Sequence, residues 1–428
     1  MNPFSEKGSK IETAVESFEK IYPKSYCKDE VDPYTKTRII LMNGTEFEAN
    51  WFSHQFSRHT DNNDLRRELA LTRFIEKQQQ LKLSLLKPAN ETVLEHTVSY
   101  EQLAVDLTAE LAKREADENV RKALDFALLE DFDHLYRYSN LLEMETGVRA
   151  ERLVGKLTEI TPGRPTIAHH RFPKDNVRPA LTADAKKESK LHAMIITAAE
   201  QQTMNYYMNV STLYQSDIGR KLYEEIALVE EEHVTQYGSL IDPSSTWLEC
   251  LLWHEYCECY LYWSCYKTET DPAIRALWEE NLSYEIAHLH RANDLLERYE
   301  KKNWQEIIQN GTFPEPLKLH SNIDYVREVL AETVEHTSCR ETYLNVSKLP
   351  ENADFYAHQK RICPETPPSH TVIEQKISLS GEDYRFETAK NPIPALRDRK
   401  KDNTELGVFP DHGNSVPFKE ENYLQPRN

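Results

Sequence analysis

Apolar residues recur at helical spacing over most of this chain. From about residue 96 to residue 300, long amphipathic segments follow one another with few prolines, which predicts a succession of α-helices. Upstream, IETAVESFEKIYP (11–23) and LRRELALTRFIEKQQQLKLSLL (65–86) read as two further helices. Between them, RIILMNGTEFEANWF (38–52) reads as a short β-hairpin turning at Asn43-Gly44. Beyond about 310 the periodicity weakens. NIDYVREVLAETVEHT (322–337) reads as a last helix, and the rest, rich in Pro, Asn and charge, as a wrapping or partly disordered tail. The chain thus divides into an N-terminal extension with an amphipathic helix (1–90), a helical body (91–305) and a C-terminal helix with an extended tail (306–428). One stretch interrupts the body. ITPGRPTIAHHRFPKDNVRPA (160–180) holds four prolines and predicts a long irregular crossover carrying an exposed His169-His170 pair.

Composition narrows the function classes. No apolar run approaches the ~20 residues of a membrane span, and the polar N-terminus has no signal core, so a cytoplasmic protein is expected. A net charge of -19 argues against nucleic acid as a partner. With 11 glycines and neither GxGxxG nor GxxxxGK, a nucleotide-binding loop is not expected. The seven cysteines form no CxxC pair, and four of them, between 250 and 265, lie in one apolar stretch as small buried hydrophobes.

The chemistry emerges from a repeat. Of 16 histidines, three have an acid three residues earlier: Asp131-x-x-His134, Glu230-x-x-His233 and Glu285-x-x-His288. Thirty residues before each acid stands a glutamate: Glu101, Glu200 and Glu255. Aligned on those glutamates, Arg121, Arg220 and Arg275 coincide, as do Leu141, Leu240 and Leu295. So do Asp117, Ser216 and Asp271, residue types that cap helix N-termini. Three helical hairpins of one design are predicted. Each acid lies about 21 Å beyond its cap and each glutamate about 24 Å before it, at ~1.5 Å per residue, so both reach one height. The acid and histidine at i and i+3 share a face. Two such hairpins bring four carboxylates and two imidazoles into one core layer, where a pair of divalent metal ions is the natural counter-charge. Glu130 and Glu258 stand near the same height, whereas Glu231 and Glu232 are expected in water.

A Glu from each of two helices with Glu-x-x-His from two others is the ligand set of carboxylate-bridged di-metal bundles. On Glu200…Glu230-x-x-His233 and Glu255…Glu285-x-x-His288 the chain resembles the ferritin-like superfamily. Tyr207 and Tyr262, seven residues after their glutamates, resemble the Glu-x6-Tyr signature of its rubrerythrin-like branch. The resemblance implies an all-α, ferritin-like bundle holding two Fe or Mn ions, with Glu101, Asp131 and His134 as further ligands. It implies Tyr207 and Tyr262 as tyrosines that hydrogen-bond the metal carboxylates or are oxidised at the site, and dimers as a common assembly. Dioxygen or hydrogen peroxide would be the substrate, in a peroxidase, catalase or oxygenase type of reaction. A separate electron donor is implied because no Cys-rich electron-transfer segment is present. The alternatives are an iron-storing ferroxidase and a bundle scaffold without catalysis.

Two arguments choose different hairpin pairs. The tight turn at 241–246 makes the second and third hairpins antiparallel neighbours, whereas the long connection at 146–185 favours pairing the first with one of the others. Ligand quality favours the second with the third, because the first carries Asp131 for Glu and Thr108 for the tyrosine. Tyr206, Tyr256, Tyr260, Tyr266, Trp253 and Trp263 are expected around the site, and His169 and His170 either as a polar loop or at the site mouth.

Overall fold

The computed structural model describes residues 1–408. It is helical apart from a two-stranded antiparallel ribbon and one isolated bridge. Eight long helices form four hairpins: α1 (Pro33–Arg58) with α2 (Asn63–Ser84), α3 (Val93–Arg114) with α4 (Glu118–Thr146), α5 (Lys187–Leu213) with α6 (Asp217–Gly238), and α7 (Trp247–Thr268) with α8 (Pro272–Glu300). The second helix of every hairpin is capped by a side chain on its first-turn amides: Asn62, Asp117, Ser216 and Asp271. Thr92 and Thr246 start α3 and α7 through capping boxes with Glu95 and Glu249. Among the described residues no helix is long and apolar enough to cross a membrane.

The fourth hairpin corrects the expected count of three. It occupies residues read as a β-hairpin and an extension, yet α1 runs unbroken through Asn43-Gly44. That glycine serves helix packing. A Cβ on Gly44 would lie 3.2 Å from the Ala198 carbonyl and 3.3 Å from the Gln202 Cβ of α5, so its bare backbone lets α1 and α5 approach closely. Gln202 Nε2 donates to the Ile40 carbonyl at 3.0 Å across the same contact, and Asn43 Nδ2 donates to Ser84 Oγ at 2.6 Å. A Gly44→Val substitution is expected to wedge the two helices apart and destabilise the fold by about 1–3 kcal/mol. Chemical denaturation checks this, and an unchanged midpoint would show the contact to be slack.

The hairpin α1–α2 carries the same register as the other three. Glu46, Asn62, Arg66, Glu76 and Leu86 stand at the aligned positions, with Gln79 where the others have histidine. A shift of 154 residues carries Glu46 onto Glu200 and Glu101 onto Glu255. The four-hairpin body (33–300) therefore reads as two copies of a two-hairpin unit. Contacts made at one end of the molecule recur at the other. Glu269, after α7, accepts from Arg38 Nε at 2.9 Å and Thr35 Oγ1 at 2.5 Å on α1. Glu115, after α3, bonds His192 Nδ1 at 2.7 Å and accepts from Ser189 Oγ at 2.5 Å on α5. Each of these six residues lies 154 positions from its counterpart.

Other expectations change in detail. Residues 11–23 hold only a 3₁₀ turn (Ile11–Thr13) and one helical turn (Phe18–Ile21), and Val15, Phe18 and Tyr22 stay exposed, so the segment offers no continuous apolar face to the body. The helix expected to close the chain, α9, spans Ile323–Thr333, is not the last, and gives way to strands β1 (His336–Cys339) and β2 (Thr342–Asn345). The tail does wrap: α10 (Asp354–Ile362) and α11 (Pro368–Ser380) follow, with α9 packed on α4 and α11 across α4 and α6. The end of the tail, 409–428, lies outside the described residues. The cover explains why α4 is buried on all sides from Phe126 to Leu142. Of the four clustered cysteines, Cys257, Cys259 and Cys265 are buried and Cys250 partly so.

Candidate metal centre

The hairpins bring their acids together in two separate clusters. Helices α3, α4, α5 and α6 assemble Glu101, Asp131, His134, Glu200, Glu230 and His233, none more than 2% exposed. Helices α1, α2, α7 and α8 assemble Glu46, Glu76, Glu255, Glu258, Glu285 and His288, equally buried. The first and second predicted hairpins thus meet, while the third joins α1–α2. The choice of the second with the third on ligand quality does not hold. The long crossover 147–186 lets α3–α4 fold back on α5–α6, whereas the short turn between α6 and α7 steers α7–α8 to the other cluster.

In the first cluster, one oxygen or nitrogen from each of Asp131, Glu200, Glu230 and His233 lies within 4.8 Å of the others. Glu101, His134 and Glu230 form a second such group. Glu230 belongs to both. Its Oε2 is 3.0 Å from His233 Nδ1 and its Oε1 is 3.2 Å from His134 Nδ1. The same His233 nitrogen lies 3.4 Å from Asp131 Oδ1 and 3.6 Å from Glu200 Oε2. Both oxygens of Asp131 and of Glu200, and Oε2 of Glu101, have no hydrogen-bond partner in the protein. Buried orphan acceptors converging on one spot are what a cation satisfies.

The far side of each imidazole determines what its near nitrogen presents. His169 Nε2 is 2.7 Å from the Arg164 carbonyl and can only donate to it. Burial and the adjacent Arg164 and Arg171 hold His169 neutral, its pKa well below the usual value. Its Nδ1 is therefore an acceptor, filled by His134 Nε2–H at 3.3 Å. With Nε2 engaged by His169, the His134 ring turns its Nδ1 toward the cluster. His233 Nε2 donates to Glu130 Oε2 at 2.6 Å. Glu130 is held in turn by Arg164 Nη1 at 3.1 Å and Arg171 Nη1 at 2.6 Å. Burial opposes ionisation of Glu130, but Arg171 above all overcomes it and keeps the carboxylate charged. Burial would likewise keep His233 neutral, yet Glu230, Glu130 and Glu200 raise its pKa well above the usual range.

Glu101 is fixed from outside by Tyr207, whose hydroxyl donates at 2.5 Å. Tyr262 does the same for Glu46 in the second cluster. Tyr207 and Tyr262 are thus buried equivalents, each bonded to the glutamate of the hairpin facing its own. Tyr206 is partly exposed and stacks on Tyr100. Tyr256 and Tyr260 instead donate to the backbone at 311–315 and pack on Phe313, with Trp263 on that ring and Trp253 edge-on to Tyr256, away from the cluster carboxylates.

Three surface expectations fail. His169 and His170 are buried, the first behind His134 and the second 3.6 Å from Glu225, because the crossover threads under the C-terminal tail. Glu232 is buried as well, accepting from the Arg171 amide at 3.1 Å, while Glu231 is exposed as expected. Arg164 and Arg171 are site residues that no spacing marked. Glu46, Glu76 and Gln79 were legible in the register of the repeat, but a search keyed on histidine passes them by.

No family model matches the chain, nor does any curated protein or solved structure.

Proposed function

We propose that the α3–α6 cluster is a di-metal centre and that the protein is a ferritin-like oxidoreductase acting on dioxygen or hydrogen peroxide. The observation that carries this reading is Glu230, placed between two histidines that each present Nδ1, with orphaned carboxylates on either side. Asp131, Glu200, Glu230 and His233 would hold one ion, and Glu101, His134 and Glu230 the other. Two imidazoles among hard carboxylate oxygens, with no thiolate, suit iron or manganese. When bound, such a pair supplies the electrons for reduction of a small oxidant.

The chain's own residues prepare the site. Glu130 orients the His233 ring and draws its Nε2 proton outward, which raises the donor strength of Nδ1. His169 holds the His134 tautomer by a chain of two hydrogen bonds ending on a backbone carbonyl. Tyr207 leaves one Glu101 oxygen free for the cluster and keeps a phenolic proton beside it. Burial under α9 and α11 excludes bulky substrates and bulk water. Electrons to reset the centre would come from a separate donor protein.

The test is to reconstitute the full chain anaerobically with Fe(II) or Mn(II) and mix it with dioxygen or peroxide. Consumption of the oxidant, first-order in bound metal and absent from the apoprotein, is expected. A metal-loaded protein that leaves both oxidants unchanged would sink the proposal. His169→Ala should weaken metal binding by about 10–100-fold with the helical circular dichroism unchanged. Wild-type affinity in that variant would show that the His134 tautomer needs no support.

A further inference from the structure

We infer that the α1–α2–α7–α8 cluster is a second divalent-cation site, harder in its donors than the first and suited to manganese or magnesium. Glu76, Glu255 and His288 each place a ligand atom within 4.8 Å of the others, and Glu255, Glu258 and Glu285 do the same. Glu255 is common to both groups, as Glu230 is in the first cluster. Glu258, 1% exposed, has neither oxygen partnered, and Glu255 Oε2 and Glu76 Oε2 are also orphaned. Glu46 Oε1 is taken by Tyr262, while its Oε2 has no partner.

The differences from the first cluster are what set its chemistry. Gln79 replaces the second histidine. Its Nε2 donates to Glu285 Oε1 at 2.6 Å, leaving a buried amide oxygen unpartnered. Glu258 adds a carboxylate where α5 has Thr203. The set is then five carboxylates, one amide and one imidazole, a hard-oxygen environment. Among the described residues, His288 is the one basic side chain within ion-pair distance of these acids, 3.2 Å from Glu285 and 3.8 Å from Glu255. Among the described residues there is no counterpart of the Arg164 and Arg171 pair bonded to Glu130. Burial and mutual repulsion push the Glu46, Glu255 and Glu258 carboxyls well above their ordinary range. A bound cation relieves both the repulsion and the orphaned oxygens. It would also fasten the first hairpin to the fourth, two parts of the body far apart in sequence, beside the Arg38–Glu269 pair.

The test strips the full-length protein with chelator, titrates it with Mn(II) alone and follows free Mn(II) by electron paramagnetic resonance. Two classes of bound Mn(II) are expected. Glu258→Gln should weaken one class at least tenfold and spare the other, and Glu230→Gln should show the converse. If Glu258→Gln binds Mn(II) as the wild type does, or Glu230→Gln removes all of it, the second site is wrong. If Glu230→Gln removes nothing while Glu258→Gln does, the second site stands and the first centre fails. Anomalous diffraction from Mn-soaked wild-type crystals decides the matter if Glu258→Gln misfolds. A peak among Glu76, Glu255, Glu285 and His288 supports the inference, and no peak there overturns it.

Discussion

If the proposed α3–α6 di-metal centre is right, a Glu230→Ala protein is expected to lose both of its ions at once. Every other residue of that cluster belongs to one of the two ligand groups, but Glu230 belongs to both. Its removal also leaves His134 Nδ1 and His233 Nδ1 without their nearest carboxylate. The expected fall in affinity exceeds about 100-fold, the upper end of what an outer hydrogen-bond partner contributes. Metal analysis after reconstitution reads this directly. Glu231→Ala, on the exposed side of the same helix turn, is the control and should retain full metal content. Retention of one ion per centre in Glu230→Ala would mean that the two groups are not bridged.

The second large effect is on stability. Arg38 on α1 and Glu269 after α7 form a buried ion pair, with side chains 4% and 0% exposed. Trp278 Nε1 and the amides of Thr270 and Asp271 donate to the same carboxylate. Arg38→Ala strands that carboxylate in the interior, which costs about 3–5 kcal/mol. Chemical denaturation at neutral pH should show the loss as an earlier midpoint, and a change under 1 kcal/mol, the usual range for an exposed pair, would refute the account of this contact. Acid should narrow the gap. Burial alone would raise the Glu269 pKa, but Arg38, Thr35 and the Asp271 amide outweigh it and hold the pKa below the ordinary value. A depressed carboxylate contributes its stability above its unfolded pKa, near 4.3 for Glu. That contribution is lost as pH falls through the lower folded value, so wild type and variant should converge in acid.

Much of this was written in the residue pattern. The caps Asp117, Ser216 and Asp271, the 30-residue interval and the i, i+3 pairing marked nine residues that the fold gathers into the two clusters, six in the first and three in the second. What the pattern missed has specific physical causes. Asn43-Gly44 carries the strongest short hairpin signal there is, but here glycine answers to the close crossing of α1 and α5. Tertiary packing overrode local preference. Gln79 hid the fourth hairpin because an amide replaced the histidine that marked the others. The pairing of hairpins depends on connection length, and once α1–α2 is counted the crossover after α4 and the short turn after α6 decide it. Glu232, His169 and His170 looked like surface because their polar partners, Arg171 and the crossover backbone, lie far away in sequence or in irregular structure. Helical periodicity says nothing about such partners.

The most direct test of the di-metal centre is anomalous diffraction at the iron or manganese edge from crystals of the reconstituted protein. Two peaks flanking Glu230 are predicted, one among Asp131, Glu200 and His233, the other between Glu101 and His134. A reconstituted crystal with no anomalous density between α3, α4, α5 and α6 would contradict the account.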